Sequence, residues 1–143
     1  METTLLPVAE NLTAPIVKTI RIAYWSLTGL FALAMLMDGI AGTVQEETGQ
    51  EVMRHLGYPM YLLTICGIAK ILGVAALLQT RFQTIKEWAY AGFTINFIGA
   101  FASRAFVGDQ AGLLIPPLVM LAVLFLTYFV WKRYSQSNAK YTD

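Results

Sequence analysis

Cysteine occurs once in this chain, at Cys66, and histidine once, at His55. A single thiol excludes an internal disulfide, a CxxC redox pair and a thiolate metal cage, and a single imidazole excludes bis-histidine haem ligation. No metal site and no intrinsic cofactor are expected. Charge is scarce too. Only 13% of the 143 residues are Asp, Glu, Lys or Arg, and 57% are hydrophobic, whereas a soluble domain carries about 25% charged residues. So little polar side chain cannot clothe a water-facing globule, which leaves a lipid bilayer as the expected surroundings. The formal charge of +1 is unlike the basic patch that marks a nucleic-acid binder, so no nucleic-acid partner is expected. The opening Met-Glu-Thr-Thr is acidic, which is not the pattern of a cleavable signal peptide. The polar/apolar alternation that a barrel wall needs is absent as well.

What is present is a set of four apolar runs. They cover about Ile20–Ala41, Tyr58–Leu78, Trp88–Phe106 and Leu113–Trp131, each near the ~20 residues that cross a bilayer as a helix. Pro15 suits the first turn of the first helix, and Pro116-Pro117 lie near the start of the last, where missing amides do least harm. Breaks this short make neighbours antiparallel. The expected fold is all-α: one integral membrane domain over residues 1–143, an up-down-up-down bundle of four spanning helices with short tails.

Orientation follows from the basic residues. Lys18, Arg21, Arg81, Lys86, Lys132, Arg133 and Lys140 fall on the side of the termini, and Arg54 and Arg104 on the other, seven against two. That bias puts both termini in the cytoplasm, in a bacterial inner membrane. Trp25, Trp88 and Trp131 fall at the same side's interface. In the first external loop, Thr48-Gly-Gln-Glu51 has capping-box spacing and Gly57 offers a stop, which predicts a short helix on the membrane surface. The triplet Asn11-Leu-Thr13 matches a glycosylation acceptor but lies on the cytoplasmic side, which discounts it.

Four polar residues inside these runs call for an explanation: Asp38, Lys70, Asn96 and Arg104. At ~1.5 Å per residue, Lys70 and Asn96 both lie roughly 12 Å in from the inner ends of their helices. They are therefore level, and each sits among small residues that allow close packing. A ligand site of Lys70, Asn96 and Thr28 is the expectation. Snorkelling of Lys70 toward the interface is the alternative. Asp38 and Arg104 both fall near the outer rim, where a carboxylate and a guanidinium would clasp as an ion pair. Cys66 reads as a small buried hydrophobe, and His55 as a loop residue.

Leu56-Gly57-Tyr58-Pro59 with Tyr61, then Gly67, Lys70 and Gly73, then Lys86-Glu87-Trp88-Ala89-Tyr90-Ala91-Gly92-Phe93 carry a pattern of their own. Together with Arg21-Ile-Ala-Tyr24-Trp25 and Gly99-Ala100, they resemble the DoxX-like family of small bacterial membrane proteins over roughly residues 18–131. The resemblance implies four spans. Its wider superfamily includes subunits linked to thiosulfate:quinone oxidation and to redox-stress complexes, which implies quinone-linked or thiol-linked work. Lys70, Glu87, Trp88 and Tyr90 match motif positions, but the family supplies no agreed catalytic residue. Whether the chain is an enzyme stays open. The expectation is a membrane module that binds a quinone or lipid-like molecule in a redox system. The alternatives are an accessory subunit of a homo-oligomer or larger membrane complex, and a small-solute transporter.

Overall fold

The structure, a computed structural model, describes residues 5–139, with side chains from residue 14 onward. Lys140 and the Asn11–Thr13 side chains lie outside the described residues. Among the described residues five helices follow one another: α1 Leu5–Thr43, α2 Glu47–Leu56, α3 Met60–Leu78, α4 Gln83–Phe106 and α5 Ala111–Ala139. Among the described residues there is no strand, as unbroken apolar runs require. α1 over Ala14–Thr43, α3 and α5 are each long and apolar enough to cross a membrane. α4 is as long as its neighbours but less apolar, because Lys86, Glu87, Asn96 and Arg104 all belong to it. Among the described residues the four long helices and the short one expected are all present, but only three of the long ones qualify as spans by length and composition.

The four long helices close a ring. α1 packs on α3 and α5, α4 packs on the same two, and α2 lies against α3. Several boundaries depart from the apolar runs. α1 continues through Pro15, since one missing amide interrupts the hydrogen-bond ladder without ending it. α4 begins before Trp88, and α5 runs on past Trp131. Gln83, Lys86 and Glu87 in one segment and Lys132, Arg133 and Gln136 in the other are good helix formers, so the helices outlast their apolar stretches.

The predicted short helix exists as α2, but Thr48 does not cap it. Glu46 holds the cap position without a side-chain bond. The turn before it is held differently: Gln45 is left-handed (φ 55°), the Gln50 amide donates to the Gln45 carbonyl at 2.6 Å, and Gln45 donates to Thr64 Oγ1 at 3.0 Å. Gly57 ends the helix in the left-handed conformation (φ 75°), where a glycine carries no steric penalty.

Packing differs between the two ends of the ring. At the Trp131 end the core is aromatic. Tyr24 stacks on Tyr134 with centroids 4.8 Å apart, Tyr90 on Trp131 at 5.5 Å, and Phe31 meets Phe93 edge-on at 5.3 Å. Leu77, Val74 and Leu124 fill between them. At the α2 end, α1 and α3 meet backbone to backbone through Gly39, Gly42 and Gly67. A methyl group placed on Gly67 would lie 2.5 Å from the Thr43 amide nitrogen and 2.7 Å from the Gly39 carbonyl oxygen. Neither of those atoms can yield without the helices parting.

Gly67→Ala is therefore expected to destabilise the fold by about 1–3 kcal/mol, the usual cost of overpacking. Gly92→Ala is the control: nothing lies within 4 Å of the added methyl, so the higher helix propensity of alanine should leave stability equal or up to about 1 kcal/mol greater. Reversible unfolding in mixed micelles measures both.

Candidate ligand site

The glycine contact decides what Lys70 meets. Because Gly39 and Gly42 pack against Gly67 and Leu63, α1 ends beside the second turn of α3 rather than beside its first residue. Asp38 is thereby brought level with Lys70, and the two form an ion pair. The expected clasp of Asp38 with Arg104 is not formed. Arg104 instead donates to Asp109 in the α4–α5 turn at 2.9 Å. Depth counted from the ends of the apolar runs placed Asp38 too near the rim, since that count assumes α1 and α3 reach the same height. They do not: α2 occupies the rim between them.

Thr28 is corrected in the same way. It is completely buried, but it lies ten residues, roughly 15 Å, along α1 from Asp38. It belongs to the aromatic core, not to the Lys70 site. Asn96 does reach the site. It lines the same space as Lys70, although the two are not hydrogen-bonded to each other.

That space is a cavity of about 530 Å³ at the α2 end, bounded by α1, α2, α3 and α4. Asp38, Lys70, Asn96 and Arg104 all stand on its wall, with Val52, Met53, Leu62, Leu63 and Ile95 supplying apolar surface. A second crevice of about 370 Å³ runs between α3 and α4 toward Ile85 and Trp88. Cys66, Lys70 and Asn96 line both. Lys70 thus stands where the two spaces meet. The crevice exists because the small face of α4 is not its core face. Lys86, Ala89, Tyr90, Phe93 and Phe97 are buried, while Gly92 and Gly99 have nothing within 4 Å of an added methyl.

A family model described as DoxX-like matches residues 26–127. The chain belongs to the DoxX-like family. Every residue on the wall of the larger cavity lies within the matched stretch of this DoxX-like chain. Neither a curated protein nor a solved structure matches it.

α2 covers one side of the cavity through Thr48, Gly49, Val52, Met53 and Leu56, and two contacts, one from α2 and one from the turn after it, tie this side to α4 and the turn that follows α4. His55 Nε2 lies 2.5 Å from Asp109 Oδ1, and Tyr58 and Ser103 share a hydrogen bond at 2.8 Å. Sequence spacing gave His55 no partner, because its partner is 54 residues away. The His55 bond, with Arg104 adding to it, holds the Asp109 carboxyl below its ordinary value of 3.8. A depressed folded value means that this contact is complete above the ordinary carboxylate range and is lost as pH falls through the lower, folded value.

A spin-label pair at Glu51 and Gln110, in a Cys66→Ala background, should keep its separation from neutral pH down to about pH 4 and widen only below that. Asp109→Asn should show the wider separation already at neutral pH. An unchanged distance in that variant would mean α2 is held by something else.

Proposed function

We propose that this DoxX-like chain is a four-span membrane module, with both termini cytoplasmic in a bacterial inner membrane, that holds a small lipid-soluble ligand beside Lys70. The observation that carries the reading is the position of Lys70 and Asn96 on the walls of both the cavity and the α3–α4 crevice. An ammonium has three N–H donors. The Asp38 bond uses one, which leaves two for an acceptor in the cavity, and the Asn96 amide adds further donors and an acceptor. A ligand with a carbonyl head and an apolar body suits this lining, as a quinone-like compound would. The head would accept from Lys70 and Asn96 while the body lay against Leu62, Leu63 and Ile95. Such a molecule could enter sideways from the bilayer through the crevice, with no water-filled path. The family's wider kinship with quinone-linked and thiol-linked complexes supports a role beside a redox partner, which would supply the electrons.

The fourth crossing in this reading is α4. Its 24 residues span roughly 36 Å at 1.5 Å each. From Trp88 to Ser103 it carries no Asp, Glu, Lys or Arg, so its charges sit near the two ends. It also closes the ring between α3 and α5.

In this reading the ion pair gives Lys70 a partner within the membrane. A lone ammonium in a bilayer is costly, and a carboxylate partner offsets much of that cost. Removing either partner should leave the other charge exposed to the same penalty.

Lys70→Met is expected to weaken binding of a short-chain ubiquinone analogue by roughly tenfold or more, the loss of a charge-assisted hydrogen bond, measured by fluorescence quenching in nanodiscs. Asp38→Asn combined with Lys70→Met should fold better than Lys70→Met alone, because it removes the orphaned carboxylate. A Lys70→Met variant that folds and binds the analogue as tightly as the parent would remove the lysine from the ligand site and favour the accessory-subunit reading.

A further inference from the structure

Among the described residues one lysine is buried, and it has no carboxylate partner. Lys86, in the first turns of α4, is 4% exposed. Its Nζ donates to Tyr24 Oη at 2.7 Å and lies 5.4 Å and 5.6 Å from the centroids of the Tyr24 and Trp131 rings. Among the described residues it takes part in no ion pair. The neighbouring carboxylate in sequence, Glu87, is held by Lys132 instead. Two aromatic faces and a phenol ease the burial of an ammonium, but they do not neutralise it.

Lys86 stands on the wall of a cavity of about 300 Å³ at the Trp131 end, separate from the space around Lys70. The lining is rich in donors and has no acid. Tyr24, Thr80, Gln83, Trp131 and Ser135 contribute hydroxyl, amide and indole groups, and neither Asp nor Glu is among the lining residues. The start of α4 borders the same cavity through Phe82 and Gln83; the Phe82 amide donates to Gln79 Oε1 at 2.7 Å, and no side-chain cap bond takes the amides that follow it. An uncapped helix start adds a partial positive charge and unpaired amides. Arg81 and Arg133, beside lining residues in sequence, are exposed and raise the local potential for an incoming anion. The Tyr24 oxygen accepts from Lys86 and keeps its own proton to donate.

The geometry points to a second ligand site, in which this cavity binds a phosphate-class oxyanion through the Lys86 ammonium. One arrangement of charge explains both halves of the observation. A buried cation without a carboxylate is stable when an anion arrives from outside, and a lining of donors without acids admits that anion and excludes cations. The oxyanion has two sources with the same chemistry: the phosphodiester of an anionic phospholipid headgroup, or free phosphate from the water side.

The full-length protein distinguishes them. In a neutral detergent its unfolding midpoint is followed against inorganic phosphate, with chloride at matched ionic strength as the reference. In nanodiscs the same midpoint is compared between phosphatidylcholine alone and phosphatidylcholine mixed with phosphatidylglycerol. A rise with inorganic phosphate assigns the site to a free anion, and a rise only with phosphatidylglycerol assigns it to a lipid headgroup. In either case the concentration giving half the effect should increase by roughly tenfold or more in Lys86→Gln, as expected for a lost charged hydrogen bond, and much less in Lys86→Arg. Gln83→Glu, at an exposed position, puts a negative charge on the wall without touching the core and should weaken binding similarly. It keeps the test decisive if Lys86→Gln does not fold. If neither phosphate nor phosphatidylglycerol raises the midpoint of the parent protein, or if Lys86→Gln and Gln83→Glu respond like the parent, the site does not exist and Lys86 is satisfied by Tyr24 and the two rings alone.

Discussion

The close approach of α1 to α3 at Gly39, Gly42 and Gly67 sets the rest of the molecule. In lipid the hydrophobic effect does little to hold helices together, so association rests on close packing and hydrogen bonds. Three glycines let the two backbones touch, and Thr43 Oγ1 bonds back to the Gly39 carbonyl at 2.8 Å, within that contact. The height at which the glycines meet is the height at which Asp38 meets Lys70. Because α1 stops below the start of α3, room remains for α2 above it and for a cavity beneath α2.

The two ends of the ring therefore solve different problems. At the Trp131 end, large aromatic rings fill the interior, and Phe31, Phe93 and Phe97 interlock at edge-on and stacked angles. Such contacts fix helices rigidly. At the α2 end, the glycines of α4 leave gaps where side chains would otherwise close the wall. The molecule thus has a filled, aromatic end and a less filled end with a cavity beneath α2. The cover is tied by polar contacts to Asp109 and Ser103 rather than by buried apolar area, which makes it the part easiest to loosen.

The lysines show how the surroundings of a charge decide its part. Lys70 has a carboxylate partner and is one-fifth exposed. Lys86 is nearly inaccessible and has a phenol and two ring faces. By sequence position Lys70 had no level carboxylate, and Lys86 counted only among the basic residues on the side of the termini. The helical spacing of Lys86 with Tyr90, Phe93 and Phe97 was the signal that it shares the core face of α4.

Composition and the length of the apolar runs determined the class of this protein: all-helical, membrane-embedded and built from long helices with a short one between the first two. Those features are properties of local sequence, since a run of apolar residues in lipid must satisfy its own backbone bonds wherever it packs. Lys70 and Asn96 line one cavity, but the small-residue face of α4 expected to pack closely around Asn96 is open at Gly92 and Gly99, and helical period alone does not tell a packed face from an open one. Pairing was not legible either. That Asp38 goes to Lys70, that Arg104 and His55 share Asp109, and that Thr28 joins the aromatic core depend on how far α1 slides along α3. That offset of a few residues is set by where glycines permit backbone contact, a three-dimensional fit that no one-dimensional count of depth contains.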